Sequence, residues 1–70
     1  MIFKALGLTE VRIENDGSLM VLGDITVNIR HITYIKQLTD RCKILLLNNT
    51  VIYVKESKNE IMSKMCYIGG

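Results

Sequence analysis

KILLLNNTVIYVKESKNEIMSKM, residues 43 to 65, decides how this chain folds. It reads as two short apolar strands joined at Asn48-Asn49 and running directly into a capped helix. A two-residue turn at Asn48-Asn49 predicts Leu47 opposite Thr50 and Leu45 opposite Ile52, because loop length sets register. Side chains alternate along a strand, so one face is expected to carry Ile44, Leu46, Val51 and Tyr53. The other face then carries Leu45, Leu47, Ile52 and Val54. Both sets are apolar, and an antiparallel sheet with one wet side would show polar residues in one of them. The helix is predicted over 57–68. Ser57 and Glu60 have the capping-box spacing, and Ile61, Met62, Met65 and Ile68 recur at helical intervals with Lys58, Ser63 and Lys64 turned to water. Gly69-Gly70 ends it. One stripe covers one sheet face, so a second copy of the chain is expected on the other. That makes a homo-oligomer, most simply a dimer, with Ile44, Leu46, Val51 and Tyr53 at its interface.

Upstream, the chain adds strand to this unit. The opening MIFKALGL fits a short helix or an edge strand equally well. Glu10 to Glu14 alternates, with Val11 and Ile13 on one side and Arg12 and Glu14 on the other. Asn15-Asp16-Gly17-Ser18 is a hairpin turn, since Asp and Asn tolerate left-handed backbone and Gly adopts it freely. Leu19 to Leu22 reads as one strand, and after Gly23-Asp24 a second carries Ile25, Val27 and Ile29 against Thr26, Asn28 and Arg30. Ile32 and Ile35 stand three apart, which places a tight turn at Asn28 to His31 before a strand through Tyr34, Ile35 and Lys36. Thr39-Asp40-Arg41 is the last polar break. The fold class is α+β, mostly β: a single domain over residues 1–70, with a small antiparallel sheet of about five strands and one C-terminal helix.

At 70 residues, with 49% of them hydrophobic and no proline, a lone core is marginal and association is the expected support. Nine Lys and Arg against seven Asp and Glu give a formal charge of +2, well short of the dense positive balance of a nucleic-acid binder. No apolar run approaches the roughly 18 residues of a membrane span, so a soluble protein without membrane partners is expected. Cys42 and Cys66 have no metal-ligand or C-x-x-C spacing. Without a signal peptide ahead of them they read as reduced, structural thiols of a cytoplasmic protein.

Nothing in the chain assembles a catalytic set, a cofactor site or a metal site. His31, the only histidine, has no carboxylate or cysteine nearby in sequence to orient it as a base, and an imidazole needs such a partner for catalysis. Asp16, Asp24 and Asp40 belong to turns, and no glycine spacing matches a phosphate loop. Cations gather near strand ends: Arg12, Arg30, Lys36, Arg41, Lys43 and Lys55. As a solvated rim they keep the protein soluble. As a site, Arg30, His31, Arg41, Lys43 and Lys55, with Tyr34 or Tyr53 to stack on a base, would hold a small anionic ligand such as a nucleotide at an interface between copies.

Val27-Asn28-x-x-x-Ile32-x-x-Ile35, Ile44-x-Leu46-x-Asn48-Asn49, and Val54-Lys55-Glu56-Ser57 with Glu60-Ile61 behind it resemble the flagellar FlbD-like (SwrD) small proteins, over roughly residues 19 to 65. Asn49 stands where that family carries a turn glycine. Similar short reading frames are common in phages, and the resemblance implies a non-enzymatic accessory module. Separately, Gly17-Ser18-Leu19-Met20-Val21-Leu22-Gly23-Asp24 is similar to the Gly-x-x-Leu-x-Ile-Gly-Asp run of CsrA-type RNA-binding regulators, though their Arg-rich first strand is missing. The expectation is a phage-associated accessory or anti-defence protein that sequesters a nucleotide-like ligand or masks a host protein. The alternatives are an RNA-binding regulator and a motility accessory protein acting through protein contacts.

Overall fold

Among the described residues the regular structure is five strands, one short 3-10 turn and one helix. The computed structural model describes residues 4–69, and of residues 67–69 the helical backbone alone. Met1 to Phe3, at the head of the opening apolar run, the Ile68 side chain and Gly70 lie outside the described residues. The elements are β1 (Ala5–Ile13), β2 (Leu19–Asn28), a 3-10 turn (Ile29–His31), β3 (Ile32–Gln37), β4 (Cys42–Leu46), β5 (Val51–Val54) and α1 (Lys58–Gly69). The strands make one antiparallel sheet in the order β2-β1-β5-β4-β3.

From Ala5 onward the opening run is strand. Leu6 and Leu8 alternate into the core while Gly7 is exposed. Residues 19–28 form one strand where the sequence suggests two. Glu10 pairs with Gly23 and Val11 with Val21, so Leu22 is an extra residue in a β-bulge. Gly23, at φ 135°, absorbs the bend and does not turn the chain back. A second bulge, at Thr33, lies between the pairs Ile32↔Leu46 and Tyr34↔Leu45. It explains the three-residue spacing of Ile32 and Ile35, which both pack against the core.

Both hairpins close the same way. In one, the Gly17 N–H donates to Glu14 O (2.9 Å) and the Glu14 N–H to Ser18 O (2.8 Å); in the other, Asn49 donates to Leu46 O (3.0 Å) and Leu46 to Thr50 O (2.9 Å). Asp16 Oδ1 accepts from the Ser18 N–H at 2.9 Å and Asn48 Oδ1 from the Thr50 N–H at 3.1 Å. Gly17 (φ 88°) and Asn49 (φ 65°) take the left-handed position. The second loop is therefore Leu47-Asn48-Asn49, three residues long, and the expected register is off by one. Val51 pairs with Leu45 and Ile52 with Ile44. A one-residue slip exchanges faces. Ile44 and Leu46 lie on the core face with Ile52 and Val54, while Val51 and Tyr53 lie on the other face with Leu45 and Lys43. The four residues expected to share an interface do not share a face.

β2 and β3 are the two edges of the sheet, yet only the 3-10 turn joins them. Four strand spacings in a flat sheet would span roughly 19 Å, whereas a 3-10 segment advances only about 2 Å per residue. The sheet must therefore curl, and bonds from Ile29 N–H to Lys4 O (3.1 Å) and from Leu47 N–H to His31 O (2.8 Å) hold the turn in place. Inside the curl lie Leu6, Leu8, Val27, Cys42, Ile44, Ile52 and Val54, with Ile61 of α1. The Ser57 cap forms as expected, with the Glu60 N–H donating to Ser57 Oγ (3.1 Å) and the Ser57 N–H to Glu60 Oε1 (3.4 Å). Only Ile61 and Met65 of the described stripe reach the core; Met62 is 49% exposed.

Candidate binding cleft

The weakest joint in the sheet lies between β1 and β5. Their one residue pairing is Glu10↔Val54, extended by a bond from Lys55 N–H to Thr9 O (2.8 Å). Beyond it no further residues of β1 and β5 pair, although continuing the antiparallel register from Glu10↔Val54 would bring Val11 opposite Tyr53 and Ile13 opposite Val51. Below it Glu56 compensates, accepting the Thr9 N–H at Oε1 (2.9 Å) and the Thr9 hydroxyl at Oε2 (3.0 Å). Partial burial opposes the charge of Glu56, but these bonds and the nearby Lys64 prevail and hold its pKa below the ordinary carboxylate value.

A cleft of about 440 Å³ lies along this unpaired part of the β1–β5 joint, with Ile52 of the core face among its lining. Val11, Ile13, Leu22, Val51 and Tyr53 make it apolar, and Glu10, Arg12 and Arg41 bring charge to its rim. Arg41 is set by its own turn. Leu38 N–H donates to Arg41 O at 2.8 Å, and the guanidinium Nη1 donates to Asp40 Oδ1 at 2.7 Å. Its Cζ stands 5.2 Å from the centre of the Tyr53 ring, within cation–π range. Arg41 Nε is buried and has no hydrogen-bond partner. A buried N–H left unpaired costs about 1–3 kcal/mol.

The seven residues proposed for a site fall into three places. Arg41, Lys43, Tyr53 and Tyr34 share the outer face: Lys43 pairs with Tyr53 across β4–β5 and with Lys36 across β3–β4, and Tyr34 is opposite Leu45. Arg30 and His31 are on the 3-10 turn, where His31 lines a separate cavity of about 270 Å³ with Leu46, Leu47 and Asn48. None of those neighbours is a carboxylate or thiol. Lys55 lines a third cavity with Thr9, Glu56 and Glu60. The apolar wall from β1 and β2 was not expected, since it depends on the sheet order. Gln37 was also missed; its Oε1 accepts the Lys58 N–H at 2.7 Å and the Cys42 thiol at 3.3 Å, coupling β3 to the start of α1.

Cys42 is buried and Cys66 exposed, and both are free thiols. Burial pushes the Cys42 pKa up, Lys58 pulls it down, and Glu56 and Glu60 add to the rise, which prevails. Among the described residues no three His, Cys, Asp or Glu side chains group to hold a metal ion, and no helix is long and apolar enough to cross a membrane. Comparison of the chain with protein-family models, with curated proteins and with solved structures gives no match.

Proposed function

We propose that this chain is a non-enzymatic, homo-oligomeric binding protein that holds a small anionic ligand with a planar ring, such as a nucleotide, in the Arg41–Tyr53 cleft. Such a role fits a phage-associated accessory or anti-defence module that withdraws a ligand from use. One observation carries the reading: a guanidinium within cation–π range of an aromatic ring, with a buried unpartnered Nε, beside a largely apolar cleft of ligand size. Tyr53 offers a ring to stack on, and Arg41 an N–H for a phosphate or ring acceptor. Lys43 and Lys36, paired across β3 and β4, add positive charge on the same face. Arg30, His31 and Lys55 are left out of this site.

The test is a thermal-shift and calorimetric screen of the purified protein against linear and cyclic nucleotides. At least one ligand is expected to raise the melting temperature, and Arg41→Ala to weaken it tenfold or more while leaving the circular dichroism spectrum unchanged. No response to any nucleotide, alongside salt-sensitive binding of single-stranded RNA, would overturn the reading in favour of an RNA regulator.

A further inference from the structure

We propose that the open end of the β1–β5 joint accepts an extended apolar peptide as an added strand, a binding mode that goes beyond the reading above and does not rest on it. In an antiparallel ladder, pairs that exchange both main-chain bonds alternate with pairs whose N–H and C=O groups point away from each other. Ile13 pairs with Leu19, and the bond from Glu14 N–H to Ser18 O (2.8 Å) marks this pair as the second kind. Ile13 therefore turns its main-chain groups away from β2. Val51 pairs with Leu45, and the bond from Leu46 N–H to Thr50 O (2.9 Å) marks that pair likewise, so Val51 turns its groups away from β4. Both sets point into the joint, where residue pairing stops at Glu10↔Val54. Two strands of one sheet thus present unused donors and acceptors to the same cleft.

The main chain selects the occupant. N–H and C=O groups at strand spacing are matched by another extended backbone, and by a small molecule only at single points. An added strand pairs with Ile13 on one side and Val51 on the other, each about 4.8 Å away. The cleft runs along both, with Val11, Leu22, Ile52 and Tyr53 completing its apolar lining. Ile13 and Val51 are each 39% exposed and Leu22 47%, so apolar side chains are there to be covered. Alternate side chains of the incoming strand fall beside them, which favours valine, isoleucine or an aromatic residue at those positions. The unpaired stretches, 11–13 and 51–53, are about 10 Å long, room for roughly three peptide residues. The Glu10↔Val54 pairing and the Thr9–Glu56 bonds close the other end and set where the strand stops.

The probe is a synthetic hexapeptide of alternating valine and threonine, blocked at both ends, with a copy N-methylated at each valine as its control. Binding to the full chain is followed by fluorescence anisotropy and by amide hydrogen exchange. The wild type is expected to bind the first peptide with the Ile13 and Val51 amides slowed at least tenfold, and to bind the methylated copy at least tenfold more weakly. Val51→Pro, which removes a donor that β4 does not use, is expected to weaken binding by a similar factor; the exchange measurement on the wild type stands if that variant fails to fold. No binding at millimolar peptide, binding without slowing of those two amides, or equal binding of the methylated copy overturns the proposal. Slowing of the same amides on raising protein concentration alone also overturns it, by assigning the slot to a second copy. A nucleotide response without peptide binding overturns this inference and leaves the reading above standing. Peptide binding without a nucleotide response supports this inference and not that reading.

Discussion

Asn49 shows how much one residue settles. It holds a left-handed conformation at φ 65°, which asparagine tolerates and β-branched residues do not. Asn49→Val is expected to cost about 1–3 kcal/mol, read as a lower denaturation midpoint, while Asn49→Gly should be close to neutral. Glu56 acts at the same scale but through its charge. Its pKa is depressed in the folded state, so its contribution is complete above the ordinary glutamate value and is lost as pH falls through the lower, folded value. Acid titration should therefore destabilise the wild type more than Glu56→Gln. At neutral pH the same substitution is expected to cost about 1 kcal/mol, a figure reduced for the partial exposure of the group. The two cysteines differ in burial. Cys66 should react with a thiol reagent in the native protein, and Cys42 only as the chain unfolds.

At the scale of elements, what the sequence reveals depends on whether the signal is local. The Ser57–Glu60 cap is a contact between residues three apart, and the helix begins where the capping box places it. Ser57→Ala is expected to lower stability by about 1 kcal/mol, and Ile61→Ala, which empties a fully buried position, by about 2–5 kcal/mol. The antiparallel sheet and the turn at Asn15 to Ser18 were equally legible from alternation and turn residues. The register of the second hairpin differs from the expected one by one residue, because Asn48-Asn49 satisfies a two-residue turn as readily as the end of a three-residue loop. That slip exchanged the faces of Val51 and Tyr53 relative to Ile44 and Leu46. The bulge at Leu22-Gly23 also looked like a turn, since glycine serves both. The cleft was legible only in part. Arg41 and Tyr53 were identifiable as a cation and an aromatic, but their β1 and β2 neighbours follow from a strand order that no local pattern encodes.

For the whole molecule, the single Glu10↔Val54 pairing between β1 and β5 divides the sheet into a two-stranded ribbon and a three-stranded unit. The division opens the cleft, yet the core crosses it, with Leu6, Leu8 and Val27 from the ribbon packed among Ile44, Ile52 and Val54. Hydrogen exchange should resolve the two parts, with the Ile13 and Val51 amides exchanging faster than those of Leu6 and Ile44. The same joint gives the chain a path to a different pairing. β1 and β2 are contiguous in sequence and close through their own hairpin, so they can form before the rest of the protein exists. A ribbon that meets the β5 of a neighbour before its own would find the same Val54 partner, the same Thr9–Glu56 latch and the same core. At high concentration during refolding, the joint that makes room for a ligand thus becomes a point of strand exchange between molecules.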